Sequence, residues 1–109
     1  MLKRTLTSVS LGALLLVNVV NAQDKAVAAG KEIFEQCSGC HNADSDEKKM
    51  GPGLKGLFSK AKMKNGKAPT EANVRALINQ GGGGMPAYED MLDKEKDELG
   101  KLIAYLKTL

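Results

Sequence analysis

Cys37-Ser38-Gly39-Cys40-His41 is the stretch from which the fold of this chain can be read. Two thiols separated by two residues, with an imidazole directly after the second, form the attachment signature of c-type haem. Each cysteine adds across one vinyl group and the histidine ligates the iron. The spacing lets both sulfurs reach neighbouring edges of one porphyrin, with the adjacent ring held beneath the metal. Cys37 and Cys40 are therefore the attachment candidates, and His41 is the candidate proximal ligand.

Three other readings of the same residues compete. A thioredoxin-like dithiol needs its motif at a strand-to-helix turn inside a βαβ unit, and no such unit is visible in the sequence. A structural zinc site wants four protein ligands, whereas the chain offers two cysteines and one histidine, so a carboxylate would have to complete the set. A Cys37–Cys40 disulfide suits an oxidising compartment but closes only a very small loop, which contributes little stability.

The N-terminus reads as an export signal. Lys3 and Arg4 form a positive start, Leu11 to Val17 an apolar stretch, and Val20-Asn21-Ala22 the small-residue pattern behind which a signal peptidase cuts. The expectation is a signal peptide over 1–22 and a mature domain over 23–109, placed in the periplasm or otherwise exported. The apolar run stops at Asn18, short of the roughly 18–20 residues a spanning helix needs, so no stable membrane anchor is expected. Export also fits thiols awaiting covalent attachment, which belong outside the reducing cytosol.

The remaining 87 residues hold two Phe, two Tyr and no Trp, which is little for a self-sufficient core. Domains of this size lean on a staple, and a covalently held apolar macrocycle would supply both volume and crosslinking. The whole chain carries 16 Lys plus Arg against 13 Asp plus Glu; without Lys3 and Arg4 the balance is close to neutral, so basicity gives no pointer to nucleic acid. Charge is nevertheless segregated. Lys48 to Lys67 contains seven lysines and no acid, while Glu89 to Glu98 contains six acids and two lysines. Such blocks are either solvated faces or docking surfaces.

Hydrophobic periodicity predicts an all-α domain without internal repeats. A first helix is expected over 25–36 with Asp24 as N-cap; its apolar stripe of Ala26, Ala29, Gly30, Ile33 and Phe34 leads to Cys37. Gly30 costs helix propensity, which points to another backbone passing close by. Asn42 to Lys49 is a polar loop, and Gly51-Pro52-Gly53-Leu54 is a turn whose carbonyl could hold the second nitrogen of His41. A short helical turn is expected near 57–61. Thr70 should cap a second main helix that ends at Gly81, where four successive glycines lead into Met85-Pro86. So costly a run to order suggests that the backbone lies against something flat. A last helix is expected from Asp93 or Lys94 to Thr108, with Leu99, Leu102, Ile103, Leu106 and Leu109 inward.

These features together resemble a class I c-type cytochrome, the small exported bacterial kind related to mitochondrial cytochrome c. The resemblance spans nearly all of residues 23–109 and rests on Gly30 and Phe34, the Cys37 to His41 motif, the Gly51 to Leu54 turn, Met85-Pro86, and Leu102-Ile103-Ala104-Tyr105-Leu106. It implies the cytochrome c fold, three to four helices wrapped around one haem c bound through Cys37 and Cys40. It further implies that Gly30 and Phe34 cross Leu102 and Tyr105, that Pro52 offers its carbonyl to His41, and that Met85 is the sixth ligand. The missing tryptophan is a departure, leaving a haem propionate to be held by Tyr88, Arg75, a lysine or backbone.

The choice of sixth ligand has its own argument. Met50 is too near His41 for the chain to reach the opposite haem face, Met63 sits among lysines, and Met91 opens the expected last helix, where packing explains it. Met85 alone follows a glycine run and precedes a stiffening proline. Two thioether and imidazole ligands leave no open position on iron, so the expected function is one-electron transfer between larger redox proteins by a monomer, and not enzymatic catalysis. The alternatives are a haem peroxidase or small-ligand sensor with a labile Met85 bond, or a tightly bound electron-transfer subunit of a dehydrogenase. The lysine block would steer redox partners with acidic docking surfaces.

Overall fold

The computed structural model describes residues 21–109, so the expected leader lies almost wholly outside the described residues. Three α-helices, α1 (Ala22–Ile33), α2 (Glu71–Gln80) and α3 (Glu98–Leu106), are joined by loops carrying short 3-10 turns at Phe34–Gln36 and Leu57–Ser59. Among the described residues there is no strand, only an isolated bridge between Gly82 and Met85.

The first helix starts earlier than its periodicity implies. In the full-length chain the N-cap is Asn21, whose side-chain oxygen accepts from the Gln23 backbone N–H at 3.1 Å; Asn21 and Ala22 belong to the expected leader. Asp24 sits inside the first turn, where its charge still favours the positive end of the helix dipole. At the other end α1 tightens into the 3-10 turn before Cys37.

The α1–α3 crossing is the main helix contact of the domain. Gly30 is buried there, and a Cβ in its place would overlap the Lys101 carbonyl oxygen and lie 2.8 Å from Tyr105 Cβ. Only a hydrogen atom fits between the two backbones. One turn further along, Phe34 and Tyr105 meet with ring centroids 5.4 Å apart and planes tilted by 57°, an arrangement that aligns ring edge with ring face. Leu102, Ile103 and Leu106 of α3 are buried, and Leu99 and Leu109 pack against them half-buried.

The second main helix follows expectation. Thr70 Oγ1 accepts from Asn73 N–H at 3.1 Å, and Gly81 closes the helix at φ 66°, donating to the Leu77 carbonyl at 2.7 Å. The start of α3 does not. Asp93 Oδ1 captures the N–H groups of Glu95 and Lys96, and Asp97 takes a left-handed conformation (φ 48°, ψ 49°). From there Asp97 caps Gly100 N–H at 3.2 Å, and α3 begins at Glu98. Short carboxylates bonding their own neighbourhood have replaced one helical turn by capped turns. Met91 is consequently outside the helix and 58% exposed; the residue that packs is its neighbour Leu92.

Glu71 ties α2 to the end of α3, accepting from Arg75 at 3.1 Å and from Lys107 at 2.9 Å. Those two partners, Lys107 first, hold its carboxyl below the usual carboxylate range. A depressed carboxyl stabilises the fold above its unfolded-state pKa, and that contribution is lost as pH falls through the folded value. Glu71→Gln should therefore lower the melting temperature of the holoprotein slightly at neutral pH, with the gap closing below about pH 4. A pH-independent gap would remove the ion pairs as its cause. Gly30→Ala should cost about 1–3 kcal/mol in a denaturant titration, because two backbones must part to admit the methyl group; an unchanged midpoint would contradict the close crossing.

Candidate haem site

The motif forms a single turn of chain. Cys40 and His41 both donate their backbone N–H to the Cys37 carbonyl, at 3.1 and 3.0 Å. Residues three and four apart on such a turn share a side, so both sulfurs and the imidazole face the same space. Cys37 and Cys40 are half-buried free thiols. Burial, and then the neighbouring Cys40 sulfur, push the Cys37 thiol above its ordinary range, so it is neutral at pH 7.

The Gly51 to Leu54 turn is stitched back onto the motif. Gly51 N–H donates to the Cys40 carbonyl at 2.8 Å and Leu54 N–H to the Asn42 carbonyl at 2.8 Å. This lays Pro52 beside the imidazole, with His41 Nδ1 2.8 Å from the Pro52 carbonyl oxygen. A carbonyl can only accept, so Nδ1 carries the proton and Nε2 is left with a free lone pair. Gly51 backs the ring so closely that a Cβ there would overlap Cε1 and lie 2.8 Å from Nδ1.

Across the cavity the glycine run folds into a tight turn. Gly82 N–H donates to Met85 O at 2.9 Å and Met85 N–H to Gly82 O at 3.0 Å, while Gly81 to Gly84 all have positive φ, between 61° and 130°. The requirement for four glycines is thus conformational, since L-residues with side chains avoid that region. Tyr88 N–H then donates to Ile78 O at 2.9 Å, closing the segment onto α2 with half-buried Met85 turned to the cavity.

Motif, proline turn and glycine turn enclose a cavity of about 1240 Å³. That exceeds the roughly 300–1,000 Å³ of ordinary small-ligand pockets and suits a macrocycle. Its wall includes Cys37, Cys40, His41, Pro52 and Met85 together. Phe34, Leu57, Val74, Ile78, Leu102 and Leu106, most of the buried core, also line it, so the domain is built around this space. The donor set of two thiols, one imidazole with a free Nε2 and a thioether fits a haem. The zinc alternative fails: among the described residues no group of three His, Cys, Asp or Glu could hold a metal ion. The dithiol alternative lacks its sheet among the described residues.

The cytochrome c family model matches residues 27–109. This chain belongs to the cytochrome c family. It is also similar to cytochrome c2 of Blastochloris viridis, with 32% identity over 108 residues, covering 85% of each chain. Membership brings covalent haem c, and the single Cys-X-X-Cys-His motif of this chain takes one, making it a monohaem electron carrier.

Sequence reasoning undervalued one residue. Met63, set aside as lying among lysines, is half-buried against the core and lines the cavity. Its flanking charges masked the apolar signal. Met50 lines the cavity but is 84% exposed, its sulfur 3.9 Å from Cys40 Sγ. Of the proposed propionate contacts, Arg75 is turned away to Glu71 and does not line the cavity, whereas Tyr88 does.

Proposed function

We propose that this protein is an exported one-electron carrier with His41 and Met85 as axial ligands, working in the periplasm after removal of residues 1–22. The observation that carries the reading is the fixed tautomer of His41: with Nδ1–H spent on Pro52, Nε2 can only present its lone pair to a metal. Haem, when bound, supplies a one-electron iron couple. Cys37 and Cys40 hold it by covalent bonds, which removes exchange of the cofactor from the cycle. Met85, aimed from a turn that hydrogen-bonds itself, offers a soft thioether that favours the reduced metal. Pro52 would hold the imidazole in one orientation and so limit its rearrangement on electron gain or loss. The apolar wall of Phe34, Leu57 and Leu102 excludes water and limits the solvent reorganisation that would slow transfer.

His41 and Met85 would together hold the haem iron with protein groups, which favours a carrier over an enzyme. No helix among the described residues is long and apolar enough to cross a membrane. The visible spectrum of the reduced protein should show paired low-spin bands, and ferrous protein should bind carbon monoxide slowly. Met85→Ala should open the sixth position and lower the midpoint potential by on the order of 0.1–0.3 V, a fraction of the roughly 0.8 V that axial ligands span. Unchanged spectrum and potential would move the ligand role elsewhere, with Met63 next in place. Rapid carbon monoxide binding by the unaltered protein would favour a sensor or peroxidase.

Docking follows from charge. Lys48, Lys49 and Lys55 are exposed in the loops flanking the proline turn, and Lys62, Lys64 and Lys67 rim the cavity mouth. The expected partner surface is acidic. Electron-transfer rates with the natural partner should fall as salt rises, since exposed charges more than about 8 Å apart are largely screened at physiological ionic strength. Lys55→Glu should reproduce part of that fall while leaving the midpoint potential nearly unchanged. A rate indifferent to salt would reduce the lysines to a solvated face.

A further inference from the structure

We propose that the loop 60–67 is the carboxylate clamp of the haem, with Lys62, Lys64 and Lys67 pairing its two propionates. The proposal rests on the His41 and Met85 assignment above, because it proceeds by elimination of the cavity walls. In protohaem the two vinyl groups and the two propionates occupy opposite halves of the ring. Once Cys37 and Cys40 take the vinyl edge, the carboxylates are directed to the wall across from it. The proline turn backs the His41 face and the glycine turn the Met85 face. The rest of the lining is apolar except for Gln36 beside the motif, Asn73 and Gln80 of α2, and the loop 60–67, and only that loop carries cations.

The charge of the cavity agrees. Four lysines line it, Lys60, Lys62, Lys64 and Lys67, and no Asp or Glu does. An apolar chamber with a purely cationic rim complements an apolar ligand that carries two anions at one edge. Lys60 is already engaged, its ammonium 2.8 Å from Asp46 Oδ1, and that bond holds the Asp46 carboxyl below the usual range. Among the described residues the other three lysines lie within 4.0 Å of no carboxylate.

The loop is also pre-organised. Met63 packs on the core and anchors it, Met63 N–H donates to Lys67 O at 2.8 Å, and Gly66 N–H donates to Met63 O at 3.0 Å. Asn65 Oδ1 accepts from Lys67 N–H at 3.0 Å, which leaves its amide N–H groups free for a carboxylate. Lys62 and Lys64 flank the anchored methionine, so their stems rise from a fixed point and only the ammonium ends need ordering.

The rival contacts are weaker. Arg75 donates to Glu71 and borders a separate hollow of about 200 Å³ beside Glu89 and Asp93. Tyr88 lines the cavity, but burial first and then the Cys37 and Cys40 sulfurs raise its hydroxyl above the ordinary range, so it offers a carboxylate one uncharged donor, a weaker partner than an ammonium. The other titratable groups on the cavity are Cys37, Cys40, His41 and Lys60. The first three are taken up by attachment and ligation, and Lys60 is bonded to Asp46.

The test compares two holoprotein variants with the same charge change. One is Lys62→Gln/Lys64→Gln/Lys67→Gln; the other is Lys48→Gln/Lys49→Gln/Lys55→Gln, whose positions lie off the cavity wall. Midpoint potential is followed from about pH 4 to pH 9, with the reduced visible spectrum recorded at each point. A carboxylate that loses cations within ion-pair distance titrates higher, so the potential of the loop variant should begin to change with pH about one to three pH units above wild type. The control should track wild type in its pH profile, apart from a small uniform offset. Coincident profiles for the two variants, with normal low-spin spectra, overturn the clamp and leave the ligands untouched. A wild-type spectrum without paired low-spin bands overturns the ligand assignment, and the wall assignment with it.

Discussion

The 2.8 Å hydrogen bond from His41 Nδ1–H to the Pro52 carbonyl is the interaction on which the rest of this domain depends. It selects one imidazole tautomer, and the neighbouring structure exists to keep that selection. Gly51 must be glycine because the ring lies against its Cα, and Gly51 N–H is itself tied to the Cys40 carbonyl. The Asn42 carbonyl receives Leu54 N–H, so the proline turn is anchored on both sides of the histidine. Lys60 adds a longer contact to the Gly53 carbonyl at 3.4 Å while holding Asp46, which links the loop after the motif to the loop after the turn. A chain with one histidine has arranged three segments to aim one nitrogen.

A second constraint is volume. Eight apolar residues are buried among the described residues, and six of them line the cavity instead of closing on one another. Burial of each contributes about 1.5–3 kcal/mol at most, a modest sum against the ordering entropy of a domain this small. The covalent macrocycle is thus both the functional group and the missing part of the core. The α1–α3 crossing is the portion that stands without it: Gly30 against the Lys101 backbone and Phe34 against Tyr105 bring the two ends of the domain together. Cys37 follows three residues after Phe34, so the closely packed helix crossing positions the attachment site.

Much of this was legible in the residues because the signals were local and mutually consistent. The motif, the Thr70 cap, the Gly81 stop, the Gly30 crossing and the proline turn each follow from the chemistry of one to five residues. What was not legible depended on competition between equally local choices. Asp93 and Asp97 read as good first-turn residues for α3, yet each carboxylate found backbone N–H groups that favoured turns, and the helix lost its first turn. Met63 and Met91 exchanged expectations, because whether a methionine is inward depends on how its loop folds back. The backbone bonds from Met63 to Lys67 that decide this leave no periodic trace.

The distribution of charge joins these levels. The basic stretch is not uniform: its cations differ in what already neutralises them. Lys60 is committed to Asp46, and outside this stretch Arg75 and Lys107 share Glu71, whereas the lysines on the cavity rim have no carboxylate beside them. Leaving cations unpaired costs self-repulsion, which a fold tolerates where an anion arrives later. Two anions fixed at the cavity edge would satisfy the nearest lysines permanently. The outer ones, Lys48, Lys49 and Lys55, would still project a positive field for a partner that must arrive and leave quickly. One block of sequence can then serve a permanent ligand and a transient one, separated only by which lysines the Met63 anchor holds over the cavity.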